Sequence, residues 1–141
     1  MLFRSRATEI AGHVQRLRTT LDAIKPGLEL GAYILPPEFV EVAQDAAKFS
    51  NSVSFLAPMA YHKDWGLPAS WIVRTLLPQT VEKAGRAAII PVFDEDLSDA
   101  ASRDVLPEIR RTWPEIRTVS WFVYGKWTDA AFQRIDRLSQ G

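Results

Sequence analysis

Aromatic and acidic side chains in this 141-residue sequence concentrate where short apolar runs end. One run ends at Met59, and Tyr61, His62 and Trp65 follow within the next few residues. The other candidates of the same kind are Tyr33, Asp94, Glu95, Trp121 and Tyr124. Aromatic rings present an apolar face on which a sugar ring can stack, and carboxylates accept hydrogen bonds from hydroxyl groups. The residue types and their positions therefore predict a carbohydrate-binding surface.

The same residues are a poor set of metal ligands. They include one histidine, His62, whereas a catalytic zinc site needs several histidine or carboxylate ligands that converge. Cysteine is absent from the sequence, which excludes disulfides, cysteine nucleophiles and thiolate metal sites. We therefore expect neither a metal ion nor another cofactor.

Four apolar runs define the predicted strands, at residues 28–35, 53–59, 87–93 and 118–124. Each run starts roughly 25–35 residues after the previous one, which is the spacing of a strand–helix unit that returns to a parallel strand. An amphipathic helix precedes the first run. The order predicts an α/β fold, with an N-terminal helix followed by four parallel βα units. This is half of a TIM (β/α)8 barrel, which typically needs about 250 residues.

Apolar residues at helical spacing predict the helices. The first helix has an apolar stripe from Ile10 to Ile24, expected to face the sheet, and ends at Pro26-Gly27. The third spans residues 70–84, where Pro78 is expected to introduce a kink. The second helix is predicted from Phe39, Val42, Ala43, Ala46 and Phe49, and the last from inward-facing Phe132, Ile135 and Leu138 after a cap at Thr128.

Functional residues of parallel sheets and barrels lie at the carboxyl ends of the strands. Tyr61 and His62 are the strongest candidates there, because this polar aromatic pair directly follows a buried strand. The sequence of the other candidates also fits a purely structural role. Residues 94–96 also fit a solvated loop that places negative charge near a helix N-terminus. Trp121 also fits a residue of the barrel core. Trp65 also fits a residue that covers an exposed strand end.

Composition and charge exclude several classes of partner. Apolar residues make up 47% and charged residues 24%, as in a soluble core-forming domain, and we predict one domain over residues 1–141. The net charge is zero and no basic stripe occurs, which argues against nucleic acid. No apolar run approaches the ~20 residues of a membrane span. The compartment is not predicted.

Several segments resemble the barrel of chitinase-like glycoside hydrolases and their relatives. The segment Val53-Ser-Phe-Leu-Ala-Pro-Met-Ala-Tyr61 is similar to the sixth strand of that barrel. The segment Val119-Ser-Trp-Phe-Val-Tyr-Gly125 is similar to the eighth strand. The opening helix with Pro-Gly-Leu-Glu-Leu-Gly-Ala-Tyr resembles the fourth helix and fifth strand. The resemblance covers the whole chain, as helix four to helix eight.

The resemblance implies a role for each candidate. Tyr61 would position the sugar substituent beside the scissile bond, Met59 would pack beneath that sugar, and Trp121 would form a stacking floor. Asp94 or Glu95 would bind hydroxyls or tune the pKa of a partner carboxylate. The catalytic acid of the family lies at the end of the fourth strand, which would precede Met1. We therefore expect this half to be inactive alone.

Three interpretations remain open, and we favour the first. The chain is the C-terminal half of a glycoside-hydrolase-like barrel that needs an N-terminal half barrel. Alternatively, it is a half barrel that forms a homodimer, because an isolated parallel sheet exposes two edges and one face. In the third interpretation it is a non-catalytic α/β binding domain. A Rossmann nucleotide domain is disfavoured, because no Gly-x-Gly-x-x-Gly follows any strand.

Overall fold

The computed structural model describes residues 2–94, 97, 103–122, 125 and 127–140, and they form a mixed α/β fold. Side chains are described except those of residues 2–4, 139 and 140. The helices in this part of the chain are α1 (Leu2–Ile24), α2 (Ala46–Phe49), α3 (Leu77–Ala84), α4 (Val105–Thr112) and α5 (Asp129–Gln140). The strands are β1 (Gly31–Ile34), β2 (Phe55–Pro58), β3 (Ala88–Ile89), β4 (Val92–Phe93) and β5 (Ser120–Trp121).

All strand pairs are parallel, and neighbouring strands follow each other in chain order. One sheet has the order β1-β2-β3, and a second sheet pairs β4 with β5. Ile90 and Pro91 separate β3 from β4, since proline has no N–H to donate to a ladder. A parallel bridge between Met59 and Val92 joins the two sheets, and the Ala60 N–H donates to the Val92 carbonyl at 2.8 Å. The predicted parallel strands are confirmed, and the third predicted run forms both β3 and β4.

Two hydrophobic cores pack on one face of these strands. The first core groups Ile34 of β1 and Leu56 of β2 with Phe49 of α2. The second core groups Phe93 of β4 with Leu76 before α3 and with α4 and its flanks. Ile89 packs against both cores. The helices therefore cover the face to which these strand residues point.

The opposite face of the sheets is left partly uncovered, and we call it the open face. Residues alternate between the faces of a strand, so the neighbours of the core residues point the other way. Tyr33 is 59% exposed and Phe122, directly after β5, is 46% exposed. The open face is formed by Gly31, Tyr33, Phe55, Ala88 and Phe122.

The stripe of α1 meets the core only in its first half. Ala7 is buried, and Val14 packs against the first core. Leu17 is 42% exposed and Ile24 is 74% exposed, so the prediction that the whole stripe faces the sheet is wrong. The predicted stop after Ile24 is confirmed, with Gly27 at φ +84°.

The predicted second helix is interrupted. Val40–Val42 form a single 3₁₀ turn, and Ala43 takes the left-handed conformation at φ +57°. A short helix, α2, then starts at Ala46. The Leu35 N–H donates to the Gln44 side-chain oxygen at 2.8 Å, which ties the interrupted segment back to the end of β1. The prediction of one continuous helix is therefore wrong, because the tertiary bond and the reversal at Ala43 replace helical hydrogen bonds.

The third helix is confirmed over residues 70–84, and a wider turn marks its proline. Ile72–Leu76 form a π-helical turn just before Pro78. A proline ring clashes with the carbonyl four residues earlier, here that of Arg74, and the wider turn relieves the clash. Thr80 is fully buried, and its hydroxyl donates to the Leu76 carbonyl at 2.8 Å. The predicted distortion therefore takes the form of a π turn.

Capping of α5 follows the prediction, and its predicted inward face is confirmed for Leu138, which packs against the second core, but not for Phe132. The Ala131 N–H donates to the Thr128 hydroxyl at 3.2 Å. Ala131 is 1% exposed, whereas Phe132 is 55% exposed. Phe132 therefore lies on the outer side of α5 and was wrongly predicted to face inward.

Candidate functional site

Five aromatic rings form a connected group where the strands end, and we call it the aromatic cluster. Its members are Phe39, Tyr61, Trp65, Trp71 and Phe122. Tyr61 stacks on Phe122 with ring centroids 5.6 Å apart and an interplanar angle of 16°. Trp65 lies 5.8 Å from Tyr61 and meets Phe39 edge to face at 5.2 Å. Trp71 meets Trp65 edge to face at 5.7 Å. The cluster joins segments that follow β1, β2 and β5.

Tight turns hold the loop after β2 in place. The His62 N–H donates to the Ala60 carbonyl at 3.0 Å, and the Leu67 N–H donates to the His62 carbonyl at 2.8 Å. Gly66, at φ +67°, takes a conformation that residues with a Cβ rarely adopt. These turns fold residues 61–67 back on themselves, so Trp65 is presented beside Tyr61 on the same loop.

A side-chain hydrogen bond connects the loop that follows β1 to the start of the helix over residues 70–84. The Trp71 indole N–H donates to a Glu38 carboxylate oxygen at 2.9 Å. Trp71 is buried, and a buried indole N–H needs such a partner. The bond holds Phe39, the residue after Glu38, against the edge of Trp65. The segment that follows β1 and the segment that follows β2 therefore both hold the aromatic cluster in place.

Tyr61 has a perturbed phenol. Desolvation by burial raises the pKa of Tyr61 above its ordinary value of 10.0, and the negative charges of Tyr33, Asp94 and Asp64 raise it further. These three groups therefore lie close enough to act on the Tyr61 hydroxyl electrostatically. At neutral pH the hydroxyl keeps its proton, so Tyr61 can donate a hydrogen bond to a ligand.

The acidic segment after β4 is described only in part. Asp94 is 9% exposed, and buried Leu97 follows it, its N–H pointing to the Asp94 carbonyl at 3.4 Å. A solvated loop would expose Asp94 more fully, so the structural alternative does not suit this residue. Glu95 and Tyr124 lie outside the described residues.

Met59 and His62 lie next to the aromatic cluster. Met59 is half-buried, and its N–H donates to the Ile34 carbonyl at 3.0 Å. His62 is 3% exposed and belongs to the loop that presents Trp65. Its side chain therefore offers little surface to a ligand.

Trp121 points away from the aromatic cluster. It pairs in register with Phe93, and its ring lies 5.5 Å from the Phe93 ring on the side of the second core. Its other ring neighbour is Trp127, at 6.2 Å. The next residue, Phe122, points to the open face and stacks on Tyr61. The structure thus brings Tyr33, Tyr61, Trp65 and Asp94 together and separates Trp121 from them.

Sequence reasoning missed three members of the aromatic cluster. Phe39 and Trp71 lie on predicted helix faces, and their spacing gives no sign of a place in the site. Phe122 is absent from the predicted site, which includes its neighbour Trp121. Strand alternation is the signal that could find Phe122, since one of two adjacent strand residues must point to the open face.

The described part of the chain contains no group of three or more histidine, cysteine or acidic side chains that could hold a metal ion. None of its helices combines the length and apolar character needed to cross a membrane. Comparison with protein-family models, curated proteins and solved structures finds no match for the chain.

Proposed function

We propose that this chain is half of a glycoside-hydrolase-like (β/α)8 barrel and that its aromatic cluster binds carbohydrate. The observation that supports binding is the stacked pair of Tyr61 and Phe122 next to Trp65. Half-exposed aromatic faces beside a phenol donor and the Asp94 carboxylate suit a sugar, which presents both apolar ring faces and hydroxyl groups.

Strand order and helix placement support the half-barrel part of the proposal. In a (β/α)8 barrel, parallel strands follow each other in chain order, the helices pack outside, and the inner strand face points to the barrel interior. The described strands have this order, and the two cores lie on one face of them. On this proposal the open face is the inner face of a barrel that a complementary half completes.

The proposal assigns binding to this chain and leaves hydrolysis to the complete barrel. Glycoside hydrolysis normally needs two carboxyl groups that flank the scissile bond, roughly 5 to 10 Å apart. In the resemblance to chitinase-like barrels, the catalytic acid belongs to the other half. Asp94 would then bind a hydroxyl or adjust the pKa of that acid.

Replacing Trp65 with alanine is expected to weaken binding of an N-acetylglucosamine oligosaccharide by about tenfold, because a stacking face is lost. Tyr61→Phe should weaken it by roughly two- to tenfold, since one neutral hydrogen bond is removed. Tryptophan fluorescence titration of the 141-residue chain measures both changes.

The matched control is Trp113→Ala, which removes another half-buried indole, one that packs against the second core. Its oligosaccharide affinity should equal that of the parent. Unchanged binding by Trp65→Ala, or an equal loss in Trp113→Ala, would show that the aromatic cluster is not the sugar site.

A second candidate, self-association of two half barrels, is favoured by the open face and by the edge of β1. The carbonyls of Leu30 and Ile34 accept hydrogen bonds from Ser54 and Met59, the residues that flank β2, so the intervening Gly31 and Tyr33 turn their backbone groups outward. A two-fold pair could close eight strands. Light scattering after size-exclusion chromatography should then give a molar mass of twice 15.9 kDa. A molar mass of 15.9 kDa at all protein concentrations would reject this candidate.

A further inference from the structure

A cavity of about 390 Å³ lies between α1 and the segment that follows β1, and Phe39 is one of the residues that line it. Ala7, Phe39 and Ala43 belong to its apolar wall. Lys48 of α2 and Lys83 of α3 also line it, and we call it the lysine cavity. Its volume falls within the range of roughly 300–1,000 Å³ that small-molecule sites occupy.

The charges of the lysine cavity favour an anion. Lys48 and Lys83 supply two positive charges, and Asp45 supplies one negative charge. Within the part of the chain that the structure describes, neither lysine forms an ion pair with a carboxylate. The two ammonium groups therefore leave a net positive cavity whose walls are largely apolar. Such a site suits a ligand with an anionic group on a body that has apolar faces.

The wall of the cavity is built by a strained and anchored segment. Ala43, at φ +57°, holds a backbone conformation that is uncommon for a residue with a Cβ. The next residue, Gln44, accepts the hydrogen bond from the Leu35 N–H that ties the segment to β1. Strain of this kind persists only where the surrounding structure fixes it, and it concentrates at ligand sites. The cavity is thus formed before any ligand enters.

Phe39 connects the lysine cavity to the aromatic cluster. Its ring lines the cavity and meets Trp65 edge to face at 5.2 Å. The cavity and the aromatic cluster are therefore neighbours that share Phe39. A sugar chain that reached from Trp65 into the cavity would place one unit beside Lys48 and Lys83.

We infer that the glycan bound by this chain is acidic, and that one sugar unit places its carboxylate or sulfate group in the lysine cavity. This inference rests on the proposed function. Lys48 and Lys83 provide the charge that recognises the anionic group, and the apolar wall contacts the C–H face of the same sugar ring.

The test titrates the full chain with a tetragalacturonate, with its carboxyl-reduced neutral counterpart and with the same neutral chain carrying sulfate esters. One of the two acidic ligands should bind about tenfold tighter than the neutral one, and its advantage should shrink as salt is added. The acidic ligand that has the advantage identifies the anionic group as carboxylate or sulfate.

The variants are Lys48→Gln, Lys83→Gln and their combination, with Lys25→Gln as the matched control. Lys25 is exposed and lies outside the cavity. The double variant should lose the preference for the acidic ligand and keep the affinity for the neutral one, while Lys25→Gln should behave as the parent. Circular dichroism confirms that each variant is folded.

The outcomes separate this inference from the proposed function. Equal binding of acidic and neutral ligands, with binding still lost in Trp65→Ala, overturns the acidic glycan and leaves the sugar site intact. An acidic preference that survives in the double lysine variant also overturns the role of the cavity. Failure of all three ligands to bind overturns the acidic glycan, and the titration with the N-acetylglucosamine oligosaccharide then decides the proposed function.

Discussion

Replacing Phe93 with alanine is expected to lower the free energy of unfolding by about 3–5 kcal/mol. The Phe93 side chain is fully buried in the second core, and its ring contacts Trp121 at 5.5 Å. Removing it takes away apolar burial and leaves a cavity beneath the short β4–β5 sheet. A domain of this size is typically stable by about 5–15 kcal/mol, so the loss is a large fraction of its stability.

Urea denaturation followed by circular dichroism measures this loss as a shift in the midpoint. Phe132→Ala is the matched control, because it makes the same chemical change at a side chain that is 55% exposed. Phe132→Ala should lower the free energy of unfolding by less than about 1 kcal/mol. Equal costs for the two variants would contradict the assignment of Phe93 to the core.

Replacing Gly31 with alanine is expected to destabilise the protein by about 1–3 kcal/mol through overpacking. Gly31 lies directly opposite Phe55 in the β1–β2 register, and the Phe55 ring lies over it on the open face. A methyl group at Gly31 would overlap that ring, so the ring must swing away and expose its apolar surface. The same urea titration measures the effect.

Two comparisons isolate the cause. In a Phe55→Ala background the ring is absent, so Gly31→Ala should cost much less there than in the parent. Gly12→Ala in α1 should instead stabilise by about 0.5–1 kcal/mol, because alanine favours a helix and its Cβ would meet only Arg16, at an ordinary 3.5 Å. A Gly31→Ala cost that is the same in both backgrounds would rule out the overlap.

The strand positions could be predicted from sequence because buried parallel strands are continuous apolar runs. Their lengths could not. Among the described residues of the run at 118–124, the ladder covers Ser120–Trp121, and the run at 87–93 is divided at Pro91. An apolar run indicates that a segment is buried in the folded protein. Strand bounds depend instead on backbone hydrogen bonds to neighbours that lie far away in sequence.

The second helix shows where apolar spacing is insufficient. Its spacing from Phe39 to Phe49 fits a helix, yet Ala43 reverses the backbone. The cause is tertiary, since the Gln44 side chain bonds to the end of β1. Alanine has the highest helix propensity, so no local preference signals the break.

The members of the candidate site that lie on a loop directly after a strand could be predicted from the sequence. Tyr61 and Trp65 directly follow a buried strand, and they lie together in the structure. Whether Trp121 or Phe122 faces the site depends on the strand register, because a shift of one residue turns every side chain to the opposite face of the sheet. Because both residues of that pair are aromatic, hydrophobic patterning alone does not say which of them faces the helices.

The break at Pro91 divides the backbone ladder along a line between β3 and β4, bridged at Met59 and Val92. Tyr61 follows the strand on one side of that line and Phe122 follows a strand on the other, so their stacked rings span it. A ligand that covers both rings would contact residues on both sides of that line. Such binding would stabilise the folded chain over the unfolded one, so occupancy and folding stability are linked at this point.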